Sequence, residues 1–210
     1  MNESAAIVPA PWQLKGEGII LMYTSLRKQF EKTDFFLPYS LKSNFSGGLG
    51  YVMLVNYTES PVGPYKELLV IPGKCKTPHG PKQTISKIYV DSAASLKSGR
   101  ANWGIPKELA QFDWSKDHKG TSVQVKKEDE VFFDITVKNK PIKFPLTTAI
   151  LPIRLYQELN DTTYQVNPSG RGIGQLAKAS INLINPDFFP DVRGAKCLAV
   201  SVNPFWMKFP

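Results

Sequence analysis

The chain has 210 residues, a formal net charge of +8 and 42% hydrophobic residues, which is the composition of one globular domain. No run approaches the ~18 uninterrupted apolar residues of a membrane span and no secretory leader is visible, so we expect a cytoplasmic protein without a membrane partner. The positive charge comes from dispersed lysines without a recognition-helix or basic–aromatic pattern, and nucleic acid is therefore not an expected partner.

The first part of the chain predicts short strands and turns. Apolar runs predict strands over Gly18–Tyr23, Leu49–Tyr57 and Leu68–Ile71, and an amphipathic pattern predicts a short helix over Ser25–Phe30. The polar stretch Lys74–Lys82 carries Pro and Gly and is predicted to be a loop. The 17 prolines and 15 glycines are scattered through the chain, which favours many short strands over long helices.

The next predicted strand, Ile85–Val90, is followed by a sharp turn that contains a single lysine. Gly104 can adopt backbone angles that are closed to other residues, and Pro106 suits the first turn of a helix. Lys107 is therefore predicted to begin a short helix that runs through Leu109, Ala110 and Phe112.

This placement of Lys107 has a chemical consequence. The positive end of a helix dipole and the apolar neighbours Trp103, Ile105 and Leu109 all disfavour an ammonium group. A neutral lysine is a nucleophile that condenses with a ketone. The alternative is a surface lysine whose ammonium group extends to water.

The second half of the chain predicts a hairpin, one helix and a last strand. Ser122–Val125 and Val131–Val137 form the predicted hairpin, with its turn at Lys127-Glu128-Asp129. Leu176, Ala179 and Leu183 recur at helical spacing and predict a helix over Gly172–Leu183. Leu198–Val202 is the last predicted strand. Cys75 and Cys197 lie far apart, outside any metal-binding spacing, and are expected to be free thiols.

Three segments, taken in order, resemble the acetoacetate decarboxylase family. The first is a Ser-x-x-Gly-x-Tyr-x-Glu pattern that ends at Glu67. An apolar strand with the triplet Tyr89-Val90-Asp91 follows, and then Gly99-Arg100 precedes Pro106-Lys107. The resemblance is densest between about residues 50 and 112 and continues weakly over residues 11–12 and 170–210.

The resemblance implies the fold and the chemistry. The expected fold is mainly β (α+β), a barrel-like antiparallel sheet with a few short helices in a single domain over residues 1–210. Lys107 would be the catalytic nucleophile that forms a Schiff base, and Glu67 would position the substrate or carry a proton. The implied partner is a small keto acid or related carbonyl compound. We expect no cofactor, no metal and a homo-oligomer.

Four further residues are candidates for substrate binding. Arg100 could hold a substrate carboxylate, or it could bond loop carbonyls around the nucleophile. Trp103 could be a wall of the substrate site or part of the core. Glu59 lies in the turn before the Glu67 strand and is a weaker candidate. Lys15 occupies the region where the family has an arginine for the substrate carboxylate.

Two departures from the family pattern bear on the reaction. Glu108 stands where the family has a second lysine, and it would stabilise protonated Lys107 if its carboxylate pointed the same way. The segment Leu14–Gly18 lacks the family's arginine. The expected function is therefore a Schiff-base lyase, either a decarboxylase or a related aldolase or dehydratase, for which acetoacetate is a poor substrate. The alternative is a non-catalytic barrel protein that binds an apolar small molecule.

Overall fold

Strands dominate the part of the chain that the computed structural model describes, which is residues 6–31, 39–118 and 120–210. In chain order the elements are β1 (Trp12–Tyr23), α1 (Arg27–Glu31), α2 (Tyr39–Lys42), β2 (Phe45–Gly47), β3 (Gly50–Glu59), β4 (Tyr65–Ile71), β5 (Lys74–Thr77), β6 (Gly80–Gln83), β7 (Lys87–Val90), α3 (Ala93–Trp103), β8 (Lys107–Leu109), β9 (Gln111–Asp117), β10 (Gly120–Lys127), β11 (Glu130–Thr147), β12 (Leu155–Leu159), β13 (Thr162–Val166), β14 (Ser169–Ile184) and β15 (Cys197–Phe209). None of these helices is long and apolar enough to cross a membrane.

The strands form one large sheet and one small sheet. The ten-stranded sheet has the order β8-β7-β4-β3-β1-β15-β14-β11-β10-β9, and the five-stranded sheet has the order β13-β12-β6-β5-β2. The two edge strands of the large sheet, β8 and β9, are separated in the chain by Ala110 alone. The sheet therefore curls until its edges nearly meet, and the mainly β, barrel-like fold expected from the sequence is confirmed.

Each face of the large sheet carries its own apolar cluster. One cluster joins Leu68 and Val70 of β4 to Val123 and Val125 of β10, strands that lie far apart in the sheet order. These side chains can meet only inside the curled sheet. Leu69 of β4 lies between Leu68 and Val70 in the chain, so its side chain points to the other face of the sheet. It belongs to a second apolar cluster, which lies on the outer face. The outer cluster is covered by α3 and the small sheet.

Helix α3 connects two parallel strands, β7 and β8, and its ends are set by two residues. The Ser92 side chain accepts a hydrogen bond from the Ser95 amide and caps the N-terminus. Gly104 adopts φ 61° and ends the helix, and a side chain there would collide with the Tyr164 ring. The chain then returns so that Lys107 pairs with Ile88 of β7.

Most of the predicted strands are confirmed, as is the hairpin between β10 and β11. Glu128 and Asp129 have the positive φ angles of 51° and 66° that its tight turn requires. The short helix predicted over Ser25–Phe30 is present as α1, shifted toward the C-terminus. The two cysteines are free thiols, Cys75 buried and Cys197 exposed.

Three predicted elements are wrong. Lys74–Lys82 is a hairpin of β5 and β6 rather than a loop. Gly172–Leu183 lies in strand β14 rather than a helix, because it pairs on both sides with β11 and β15. Lys107 begins strand β8 rather than a helix, because its segment pairs with β7 and the helix of this region precedes the turn.

Candidate active site

Lys107 and Glu67 meet on the outer face of the large sheet. Lys107 lies on β8 and Glu67 on β4, with β7 between them. Their side chains point to the same face and form an ion pair in which Lys107 Nζ is 3.1 Å from Glu67 Oε2. The two side chains are 4% and 6% exposed. Burial of a charged pair is costly unless both groups are compensated, so this pair is a strong candidate for a functional site.

The end of the Lys107 side chain is held on three further sides. Nζ donates a hydrogen bond to Ser95 Oγ at 2.9 Å, and Ser95 lies in the first turn of α3. Nζ also lies 5.1 Å from the centre of the Tyr65 ring. The aliphatic part of the side chain passes directly over Gly99, where a Cβ atom would lie 2.8 Å from Lys107 Cδ and Cε. The amine is therefore fixed in one place.

Tyr57 and Tyr65 complete the polar cluster around the ion pair. Burial, followed by the negative charge of Glu67, raises the pKa of both phenols well above the ordinary value of 10.0. Both phenols therefore stay protonated, and neither acts as a base. A hydrogen bond to Glu67 contributes to the raised pKa of Tyr57, whereas hydrogen bonds from Ser95 and Tyr57 lower the pKa of Tyr65 by less than burial raises it.

The polar cluster faces a small cavity with mainly apolar walls. The cavity has a volume of about 160 Å³. Its lining includes Trp12, Leu14, Met53, Leu69, Trp103 and Phe205, together with Lys107, Glu67, Tyr57 and Tyr65. A protein cavity of about 150 Å³ accommodates a molecule the size of benzene. The volume of the cavity therefore suits a compound with about six carbon atoms.

The structure brings Trp103 to the cavity but not Arg100. Trp103 lines the wall, packs edge-on against Trp12 at 5.0 Å and donates its indole N–H to the Pro210 carbonyl. Arg100 is exposed, and its Nε donates to the backbone carbonyl of Lys107 at 2.9 Å. Of the two roles expected for Arg100, the geometry matches the bonding of a backbone carbonyl at the nucleophile, because the carbonyl is that of Lys107 itself.

Lys15 and Glu59 lie outside this cavity, in a broad cleft that shares part of its lining. Lys15 Nζ is 2.6 Å from Glu59 Oε1, and the two side chains are 41% and 65% exposed. A pair so exposed adds little to stability. Lys15 is thus paired with Glu59 and does not line the cavity that contains Lys107.

Glu108 points away from Lys107. Adjacent residues of a strand face opposite sides of a sheet, and the Glu108 carboxylate pairs with Lys87 at 2.5 Å and Lys127 at 3.1 Å. Burial raises the pKa of Glu108, but the hydrogen bonds and charges of these two lysines lower it more, and the net shift is downward. The negative charge of Glu108 therefore lies on the face of the sheet opposite Lys107 Nζ.

Replacing Glu108 with glutamine is therefore expected to leave covalent labelling of Lys107 by a carbonyl compound within about twofold of the wild-type rate. The variant should lose about 1 kcal/mol of stability near neutral pH, because Lys87 and Lys127 lose a partly exposed partner. Since folding lowers the pKa of Glu108, its contribution is present above the ordinary value of 4.5 and disappears as the pH falls below it. Denaturant unfolding of the wild type and of Glu108→Gln across this pH range measures the difference in their free energies of unfolding. A large change in Lys107 labelling would contradict the opposed orientation.

Three residues that contact the Lys107–Glu67 pair were not identified as site residues from the sequence: Tyr65, Ser95 and Gly99. Tyr65 could have been found, because it stands two positions before Glu67 in a strand and must share its face. Ser95 and Gly99 lie on a helix that was not predicted, although Ser92 and Gly104 are good cap residues. Within the described residues, no group of three His, Cys, Asp or Glu side chains is placed to hold a metal ion.

Comparison with known proteins identifies a family over most of the chain. A family model described as acetoacetate decarboxylase matches residues 1–150. The protein NEOXANTHIN-DEFICIENT 1 of Arabidopsis thaliana is 29% identical over 132 residues, which is 61% of this chain and 44% of that protein. The chain thus spans less than half of the length of this curated relative.

Two solved structures share the fold. The acetoacetate decarboxylase of Legionella pneumophila superposes with a TM-score of 0.68 at 15% identity, over 96% of this chain and 86% of that one. The enduracididine biosynthesis enzyme MppR, in complex with the condensation product of pyruvate and imidazole 4-carboxaldehyde, also has a TM-score of 0.68, at 14% identity, over 99% of this chain and 89% of that one.

Proposed function

Because the matched family model covers residues 1–150, the chain belongs to the acetoacetate decarboxylase family, and from this premise we propose that it is a lyase that forms a Schiff base through Lys107. The resemblance inferred from Glu67, Gly99-Arg100 and Pro106-Lys107 is thereby confirmed. The observation that carries the proposal is the buried ion pair of Lys107 and Glu67 in the wall of a small cavity. The substrate class is a small keto acid or related carbonyl compound.

The first step is condensation of Lys107 with the substrate carbonyl. Glu67 Oε2 accepts a proton from Nζ, and the freed electron pair attacks the carbonyl carbon while the C=O π pair moves to oxygen. The oxygen then receives two protons, one from the nitrogen and one returned by Glu67, and leaves as water when the nitrogen pair forms the C=N bond. The product is a cationic iminium on Lys107, opposite the Glu67 side chain, which can again receive or return a proton.

The second step uses the iminium as an electron sink. In a decarboxylase the electron pair of the bond to the carboxylate carbon moves toward nitrogen, CO2 departs and an enamine remains. In an aldolase or dehydratase the same enamine arises by loss of a proton from the adjacent carbon. Protonation at carbon and addition of water then return the free amine. MppR holds a condensation product of pyruvate, and this supports a keto acid as the substrate class.

The neighbouring side chains serve this chemistry by holding position. Ser95 and Tyr65 keep Nζ beside Glu67, and Tyr57 donates to the carboxylate that exchanges the proton. The apolar walls exclude water, which strengthens electrostatic interactions in the site. Acetoacetate remains an expected poor substrate, because Lys15 is paired with Glu59 outside the cavity. We also propose that the protein acts as a homo-oligomer.

Reduction with borohydride tests the proposal directly. Borohydride reduces an iminium to a stable amine, so incubation with a keto acid should add one defined mass to the peptide that contains Lys107. Peptide mass spectrometry locates the adduct. The many exposed lysines are expected to remain almost unlabelled, since an ordinary lysine with a pKa of ~10.4 is nearly all protonated near neutral pH.

A panel of keto acids and aldehydes is needed, and pyruvate and acetoacetate are the first members. Labelling spread evenly over surface lysines would contradict the proposal. Tight binding of an apolar compound in the cavity, with no labelling of Lys107 by any member of the panel, would instead favour the non-catalytic binding protein that the apolar walls also suit.

A further inference from the structure

The balance of charge inside the cavity limits which ligands it can bind. Lys107 and Glu67 form an ion pair that is neutral as a whole. Arg171 of β14 also borders the cavity, but its side chain projects to the opposite face of the strand from Gly172. Gly172 faces the cavity, because a Cβ atom there would lie 2.9 Å from Phe205 Cβ, in the outer cluster. Among the described lining residues, Lys107 is therefore the one cation whose side chain lies in the cavity.

The ammonium group of Lys107 is already surrounded by partners. Nζ lies 3.1 Å from Glu67 Oε2, donates to Ser95 Oγ at 2.9 Å and lies 5.1 Å from the centre of the Tyr65 ring. A keto acid would bring a second carboxylate to this one cation. Either one negative charge then stays uncompensated between apolar walls, or one of the two carboxyl groups takes up a proton. Both alternatives weaken binding near neutral pH.

Resting on the proposed function, we propose that the substrate is an uncharged, apolar ketone or aldehyde. The carbonyl of such a compound is its one polar group, and it meets the amine of Lys107. The hydrocarbon part matches the walls that contain Met53, Leu69 and Phe205. The net charge of the site is the same before and after condensation, because the iminium carries the positive charge that the ammonium group carried. The inference thus narrows the proposed class of carbonyl compounds to its uncharged members.

An uncharged carbonyl compound has no carboxylate to lose as CO2, so the iminium acts on a C–H bond. The bond between the adjacent carbon and its hydrogen breaks, and its electron pair forms the C=C bond of an enamine while the C=N π pair moves to nitrogen. Glu67, which has returned its proton to the departing water, accepts the proton from carbon. The enamine then takes up a proton again or attacks the carbonyl carbon of a second molecule, as in an aldol addition.

Two ligands that differ in charge but hardly in shape test this inference. Levulinate and 5-methylhexan-2-one are methyl ketones with the same methylene chain, and the isopropyl group of the second replaces the carboxylate of the first. Borohydride trapping on Lys107 should reach half-saturation at about tenfold or more lower concentration with 5-methylhexan-2-one. In heavy water the protein should also exchange the hydrogens next to the carbonyl of this ketone for deuterium, and Lys107→Met should reduce the exchange to the rate without protein.

A second cation in the cavity should change this preference. Met53 lies opposite Leu69 in the register of β3 and β4, is partly buried and lines the cavity. Met53→Lys should shift the ratio of the two half-saturating concentrations about tenfold in favour of levulinate, because its carboxylate gains a partner. Met53→Leu, which conserves volume and adds no charge, is the matched control and should keep the ratio of the wild type. Equal ratios in the two variants would show that charge inside the cavity does not set the preference.

Half-saturation of the wild type at an equal or lower concentration of levulinate would overturn the uncharged class and leave the Schiff base on Lys107 intact. Trapping without deuterium exchange above the level of Lys107→Met would overturn the removal of a proton from carbon. Calorimetric binding of the two corresponding alcohols, which cannot condense with an amine, separates this inference from the proposed function. If the apolar alcohol binds about tenfold more tightly than the hydroxy acid while no carbonyl compound labels Lys107, the preference for an uncharged ligand stands and the lyase proposal fails.

Discussion

Replacing Lys107 with methionine is expected to abolish borohydride trapping on the peptide that spans the Gly104–Lys107 turn. Methionine fills a similar volume but offers no nitrogen, so no iminium can form. Total adduct mass per protein should fall to the background of exposed lysines. Lys66→Met is the matched control, because Lys66 lies on β4 next to Glu67 and pairs with Asp91 at the surface. Trapping in Lys66→Met should equal that of the wild type.

The same substitution should also report on the buried ion pair. Lys107→Met leaves the Glu67 carboxylate buried without a cation, which costs about 3–5 kcal/mol of stability in comparable pairs. The double variant Lys107→Met/Glu67→Gln removes both charges and is expected to regain most of that loss. Denaturant unfolding of the single and double variants measures the coupling. A single variant as stable as the wild type, or a double variant no better than the single one, would show that the two groups are not a coupled pair.

The pairing of Lys107 with Glu67 could be predicted because both positions carry local signals. Glu67 opens an apolar run and shares its strand face with Tyr65, and Lys107 follows a glycine and a proline that fix a turn. The sequence did not indicate which strand would pair with the segment that contains Lys107. A three-residue strand paired in parallel with β7 depends on tertiary contacts, and Pro106 is as compatible with the start of an edge strand as with the start of a helix.

Strand β14 shows how two periodicities can compete in one segment. Leu176, Ala179 and Leu183 fit a helical spacing, yet Leu183 is 39% exposed in the structure. Ala177, Ala179 and Ile181 alternate with Lys178, Ser180 and Asn182, and this period of two is the one that packs against the inner cluster. Small residues such as alanine and serine favour neither a helix nor a strand strongly, so pairing with β11 and β15 determines that this segment is a strand.

Gly99 occupies a position where a single methyl group would displace the nucleophile. It lies inside α3, and a Cβ atom there would be 2.8 Å from Lys107 Cδ and Cε and 3.3 Å from Nζ. The lysine side chain would have to move away from the helix, and Nζ would then leave its position between Glu67 and Ser95. In an exposed helix the same change from Gly to Ala is favourable by about 1 kcal/mol.

Gly99→Ala is therefore expected to slow borohydride trapping on Lys107 by about 100-fold, the order of loss that follows from a displacement of ~1 Å in a reacting group. The free energy of unfolding should change little, because the gain in helix propensity offsets part of the cost of the clash. Ala101→Gly, at an exposed position of the same helix, should do the reverse: it should cost about 1 kcal/mol of stability and leave trapping unchanged. Gly99→Ala should affect mainly trapping, and Ala101→Gly should affect mainly stability. This difference distinguishes displacement of Lys107 from a general destabilisation of α3. If trapping in the two variants instead followed their unfolding free energies, Gly99 would matter to the helix and not to the placement of the amine.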